Sequence, residues 1–147
     1  EELIAGLEDR QRLGLDAELA VVAFERERMG APWADQVRHV AGDRPASPFD
    51  IKSFTVTGNH GLPRYIEVKA ISPVDCEFHW SASEIEIARL LGADFFLYLL
   101  PVRGPNDFDL ARLQIIGNPF ANVCSQPCAW EKRPTPFVCR PARTKIS

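Results

Sequence analysis

The sequence predicts an α/β fold: a mixed β-sheet flanked by helices. Three observations predict it. Charged residues interleaved with spaced leucines open the chain in helical style. Two runs rich in β-branched and aromatic residues, 49–57 and 64–71, then flank the turn Gly58-Asn59-His60-Gly61 as a hairpin would. A capped helical segment finally leads into the apolar run Phe95-Phe96-Leu97-Tyr98-Leu99-Leu100, which has the length and composition of a buried strand.

Each element follows from local chemistry. Residues 2–14 carry Leu3, Leu7 and Leu13 among charges, with Gly14 as a stop. Asp16 is an N-cap for a second helix ending at Met29 and Gly30, and Pro32 enforces the break. Val37 and Val40 suggest a short strand over 36–41, and 42–48 is loop by composition. After the hairpin, Ser81 and Ser83 each precede a glutamate by three residues, Glu84 and Glu86, so either pair fits a capping box. The helix 83–91 stops at Gly92, a strand covers 93–102, and 111–116 is a last edge strand. The domain therefore spans 1–117. Residues 118–147 form an irregular tail rich in proline, with five bases against the single acid Glu131 from there to the end.

At 147 residues the chain suits one domain with one core. No apolar run approaches the roughly 20 residues that span a bilayer, and no signal peptide is visible, so a cytoplasmic protein with no membrane partner is expected. Residue 1 is Glu rather than Met, which fits a piece of a larger multidomain protein. The net charge of -3 gives no bulk attraction to nucleic acid, although the basic tail offers a local contact for phosphate. Cys124 and Cys128 with Cys139 suit three zinc ligands, with Cys76 or a histidine as the fourth; separate reduced thiols are the alternative.

The informative residues lie on the hairpin. In Ile66-Glu67-Val68-Lys69, side chains alternate, so Glu67 and Lys69 share one face while Ile66 and Val68 take the other. An acid and a base on one side of an apolar strand need partners. Asp50, opening the neighbouring strand, brings a second carboxylate. Two carboxylates and an ammonium suit Mg²⁺-assisted phosphodiester hydrolysis, with Mn²⁺ as a substitute. Asp50, Glu67 and the Val68 carbonyl would hold the hard cation, and Lys69 would orient water and offset transition-state charge. Glu18 interrupts the apolar run of residues 15–24 and suggests a third acid facing the same site. Other readings stay open: Glu67 and Lys69 as a cross-strand ion pair, and Glu18 as a first-turn acid favoured by the helix dipole. His39, His60 and His79 lack metal-ligand spacing, and Ser53 and Ser81 lack the His–Asp context of a nucleophile. Trp33 and Trp80 read as core or edge aromatics.

Five segments together resemble the NO VEIN C-terminal-like domain. They are Gly14-Leu15-x-Ala17-Glu18, Pro48-Phe49-Asp50-Ile51-x-Ser53, Arg64-Tyr65-Ile66-Glu67-Val68-Lys69, Phe78-x-x-Ser81-x-x-Glu84 and the strand through Tyr98. The family often has Gly-Tyr-Asp where this chain has Pro48-Phe49-Asp50, a difference that keeps the aromatic and the acid. The resemblance covers roughly residues 14–102. That family is similar to the PD-(D/E)xK nucleases, so the resemblance implies a restriction-endonuclease-like core of order α-β-β-β-α-β. It implies Asp50, Glu67 and Lys69 as the signature triad, Glu18 as the helical acid, and nucleic acid, DNA first, as substrate. It also implies a place in bacterial restriction or anti-phage defence proteins. Cutting both strands of a duplex would favour a homodimer. A nucleic-acid-binding or protein-interaction module without turnover is the alternative function.

Overall fold

The computed structural model of the chain describes residues 2–44, 46–125 and 130–132. Cys128, Cys139 and the bases from Arg133 onward lie outside the described residues, and with them the zinc reading and the phosphate-binding tail. Cys76 and Cys124 are free thiols.

The fold is α/β. The principal elements are α1 (Glu2–Met29), β1 (Arg38–His39), β2 (Ile51–Thr57), β3 (His60–Ile71), α3 (Ala82–Leu91) and β4 (Phe95–Gly104), with the short α2 (Val40–Asp43) between β1 and β2. Two further strands, β5 (Asp107–Phe108) and β6 (Gln114–Gly117), follow. Strand β2 runs antiparallel to both β1 and β3, and β4 lies parallel to β3 after the crossover through α3. Both β5 and β6 pair antiparallel with β4.

Several expectations need correction. The two predicted helices are one 28-residue helix. A Cβ on Gly14 would meet nothing within 4 Å; mid-helix glycine costs only about 1 kcal/mol against alanine, and helix formers flank it. Asp16 is therefore mid-helix and caps nothing. Gly30 does end α1, at φ 66, a conformation that favours glycine. The strand expected over 36–41 shrinks to two residues, because a 3₁₀ turn (Trp33–Gln36) precedes it and the Ala41 amide turns to the Asp50 carbonyl at 3.1 Å. Strand β3 starts four residues early, at His60. Pro63 is tolerated there because β4 pairs only from Tyr65 onward, so the missing N–H faces no strand. The last edge strand splits into a 3₁₀ turn (Leu110–Arg112) and β6, β5 was not foreseen, and a π-helical turn (Phe120–Cys124) stands where an irregular tail was expected.

The centre of the sheet, β4 and the second half of β3, is buried on both faces. On one face, Ala17, Val21 and Val22 of α1 pack on Ile51, Ile66, Val68, Tyr98 and Leu100. On the other, Ile71, Leu97 and Leu99 lie under Phe78, Ile116 and Trp130. A polar clamp joins α1 to the sheet. Fully buried Glu25 takes two bonds from Arg28, at 2.6 and 2.8 Å, and lies 3.9 Å from Arg64. Arg64 in turn donates to the Tyr98 hydroxyl at 2.7 Å and to Thr55 at 3.1 Å. Among the described residues, no helix is long and apolar enough to cross a membrane.

Candidate active site

Strand β2 begins at Ile51, and its ladder with β3 ends at the Ile51–Ile66 pair, where the Asp50 amide gives a last bond to the Ile66 carbonyl at 3.0 Å. The next inward-facing donor on that edge of β3 is the Val68 amide. The Asp50 side chain meets it: Oδ2 accepts from Val68 N–H at 2.8 Å. Asp50 thus takes over from its own backbone and is fixed where the two strands part. The Val68 carbonyl points to the same edge, since amide and carbonyl of one strand residue face the same neighbour.

Alternation places Glu67 and Lys69 on one face, as expected, with Lys69 Nζ 3.5 Å from Glu67 Oε1. Lys69 lies closer still to Glu84, at 2.8 and 3.2 Å from its two oxygens. Glu84 is the third residue of α3, in a complete capping box with Ser81. From the α1 side, Glu18 reaches Asp50, and His39 Nε2 stands 3.4 Å from Glu18 Oε1. Gly42 makes room for that imidazole: a Cβ there would meet His39 Nδ1 at 2.6 Å. The structure therefore brings together all four predicted acids and bases, Glu18, Asp50, Glu67 and Lys69, and adds Glu84 and His39.

The titration of these groups reflects crowding in a partly dry place. Burial pushes the Glu67 carboxyl up to about 10, reinforced by a hydrogen bond with Glu84 and by the charge of Asp50 and only partly opposed by Lys69. Burial, then Asp50, pushes Glu18 up to about 8. Asp50 is raised by burial as well, although the Val68 amide, Glu18 and Lys69 favour its ionised form. Glu84 is the exception. Burial alone would raise it, but bonds from Glu67, Lys69 and the Ser81 amide win and hold it down at about 2.

The donor set suits one kind of metal and not another. Asp50, Glu67 and a backbone carbonyl are hard oxygen donors, and the raised carboxyls mark a spot where added positive charge is favourable. Among the described residues, no group of three or more His, Cys, Asp or Glu side chains is arranged to hold a metal ion. A Mg²⁺ bound by one or two carboxylates and several waters fits; a closed protein cage does not.

Period-two alternation is local, so the sequence puts Glu67 and Lys69 on one face, and the start of the neighbouring strand brings in Asp50. Sequence reasoning read Glu84 as a cap and missed its second partner, although the Phe78-x-x-Ser81-x-x-Glu84 spacing was the available signal. It set His39 aside for lack of metal-ligand spacing, because nothing in the chain's local pattern places residue 39 beside residue 18.

The model of the family described as Protein NO VEIN, C-terminal matches residues 17–112, a span that contains every residue of this site. No curated protein and no solved structure matches the chain. A match over this share of the chain means that it belongs to the Protein NO VEIN, C-terminal family.

Proposed function

We propose that the chain is a Mg²⁺-dependent nuclease domain of the PD-(D/E)xK kind that hydrolyses phosphodiester bonds, DNA foremost. The observation that carries this reading is the meeting of Asp50, Glu67 and Lys69 where β2 and β3 part, with Glu18 reaching the same point from α1. The order α1-β1-α2-β2-β3-α3-β4, which reads α-β-β-β-α-β once the four-residue α2 is set aside, with β4 parallel to β3, supports it.

Asp50, Glu67 and the Val68 carbonyl would hold the cation. Bound there, it would polarise a phosphoryl oxygen and lower the pKa of a water. The chain's own part is positional. The Val68 amide fixes the Asp50 carboxylate, so one ligand is preorganised. Lys69 projects from the same face as Glu67 and supplies a donor for the attacking water and for charge on the phosphoryl oxygens. Glu18 shares a hydrogen bond with Asp50 and keeps that carboxylate turned toward α1.

A binding module without turnover is the second reading. It is favoured by the hold of Glu84 on Lys69, which engages the ammonium at 2.8 Å. Incubation of labelled DNA and RNA with Mg²⁺, Mn²⁺ or EDTA separates the two. Metal-dependent cleavage that Asp50→Asn abolishes supports the nuclease; absence of cleavage with every divalent cation overturns it.

A further inference from the structure

The face that carries Glu67 and Lys69 is covered only in part. Over β4 it is closed by the Phe78 and Trp130 side of the core. Over β1, β2 and the first half of β3, Arg38 is exposed and Lys52, Phe54, Pro63 and Tyr65 are half-buried. The register gives its rows: Arg38 opposite Lys52, Lys52 opposite Tyr65, and Phe54 opposite Pro63. Tyr65 is two residues before Glu67 on the same strand, so this row lies about 7 Å from the carboxylates. Arg38, on the outer strand β1, is about 10 Å to the side of β3.

Two features of this row call for a ligand. Arg38 and Lys52 are like charges placed directly opposite each other, a destabilising arrangement unless an anion lies between them. Among the described residues, neither has an acidic partner; Lys52 Nζ rests 6.0 Å from the Phe54 ring, and Arg38 is exposed. The second feature is the aromatic floor beside them. Phe49 packs on Tyr65 at 4.8 Å between centroids, and Trp33 packs on Phe54 at 5.2 Å. Gly61 admits Trp33, since a Cβ there would run into the indole. Cations interleaved with half-buried rings, on a chain whose net charge is -3, form a local feature and not a bulk one.

We propose that this face is the track for a single-stranded nucleic acid, with backbone phosphates on Arg38 and Lys52 and a base on Tyr65, leading into the Asp50–Glu67–Lys69 site. The assignment rests on the nuclease reading for its direction, since the track ends at the carboxylates. It favours a single strand over a duplex. A duplex offers this strip only phosphates, whereas unpaired bases can stack on the rings. The strip is also only three strands wide, about 10 Å.

The test is anisotropy of a fluorescein-labelled single-stranded 20-mer and of its blunt duplex, in Ca²⁺ and in EDTA, over a range of salt. The chain is compared with Arg38→Ala/Lys52→Ala, with Tyr65→Leu, and with Arg10→Ala/Arg12→Ala, which removes equal charge from an exposed part of α1. Circular dichroism checks that each variant folds. The expected result is preference for the single strand. The Arg38/Lys52 variant should bind roughly tenfold more weakly, with a salt slope shallower by about 1.4, and Tyr65→Leu should lose roughly tenfold with the slope unchanged. The Arg10/Arg12 variant should match the parent. Equal binding by the Arg38/Lys52 variant, preference for duplex, or no binding of the single strand overturns the track. Cleavage is scored separately: binding through Arg38 and Lys52 without cleavage sinks the nuclease reading and keeps the track, and cleavage indifferent to these residues does the reverse.

Discussion

Lys69 is held more closely by Glu84 than by Glu67: 2.8 Å against 3.5 Å. The partner on the next helix, not the partner two residues away on the same strand, sets where the ammonium points. Glu84 does this while its carboxylate also accepts the Ser81 amide at 3.0 Å. One residue therefore ties the start of α3 to the face of β3.

The two duties separate by mutation. Glutamine serves in a capping box as well as glutamate does, so Glu84→Gln keeps the cap and removes only the charge facing Lys69. It should lower cleavage about 10- to 100-fold with divalent-ion affinity retained, and lower the melting temperature near neutral pH through the lost ion pair with Lys69. Ser81→Ala should lose about 1 kcal/mol of stability with cleavage close to the parent. Calorimetric metal titration, thermal melts and a cleavage assay on both variants check this. Loss of metal affinity in Glu84→Gln would mean that Glu84 is itself a ligand.

The metal-free protein should grow more stable on mild acidification. Glu67 and Glu18 titrate at about 10 and about 8 in the folded chain, against 4.5 for an ordinary glutamate. Between those values the folded state binds more protons than the unfolded one, so stability is full below about 4.5 and falls as pH rises toward 8 and 10. Glu84 works the other way, from 4.5 down to about 2, so its contribution is lost only at stronger acidity. In EDTA the melting temperature should drop by on the order of 5 °C from pH 5 to pH 8. Excess Mg²⁺ should cancel most of the drop, because the cation favours the ionised acids. A melting temperature that rises over this interval in EDTA would contradict the crowded-carboxylate account.

Glu25 should be the most sensitive charged residue for folding. It is fully buried with Arg28 and Arg64 around it. Glu25→Ala leaves the Arg64 guanidinium partly buried with its acid gone, which typically costs about 3–5 kcal/mol. Urea denaturation measures the loss. A shift below about 1 kcal/mol would mean that solvent already screens the clamp.

What the sequence conveyed and what it did not divides along physical lines. The hairpin and the shared face of Glu67 and Lys69 follow from period-two alternation, which is written in neighbouring residues. Gly14 and Asp16 misled because a glycine followed by an acid is a weak break; unlike Gly30, it has no Pro32 two residues on. Asp50's bond to Val68 depends on where β2 begins, beside the bond from the Ala41 amide to the Asp50 carbonyl. The pairs Lys69–Glu84 and Glu18–His39 depend on how α3 and α1 sit against the sheet. For α1 that placement is decided by packing of Ala17, Val21 and Val22, and α3 buries Ala88; neither placement has a local signature.

Glu67→Gln and Lys69→Ala should move stability in opposite directions while both impair catalysis. Glu67 is among Asp50, Glu84 and Lys69, and its ionised form is disfavoured first by burial and then by the other acids. A neutral glutamine keeps the shape and cannot ionise, so the metal-free protein at pH 8 should gain stability, on the order of 1 kcal/mol. The same change removes a ligand, so Mg²⁺ binding and cleavage should both fail. Lys69→Ala removes the ammonium that Glu84 and Glu67 share. That should destabilise the metal-free protein at pH 8, yet leave Asp50 and Glu67 to bind Mg²⁺. Cleavage should fall about 10²–10³-fold, the usual effect of losing a donor aimed at the transition state. Thermal melts in EDTA, calorimetric Mg²⁺ titration and single-turnover cleavage measure the three quantities. If Glu67→Gln destabilises the metal-free protein as much as Lys69→Ala does, the pair is a structural salt bridge, and the cluster loses its claim to be a metal site under strain.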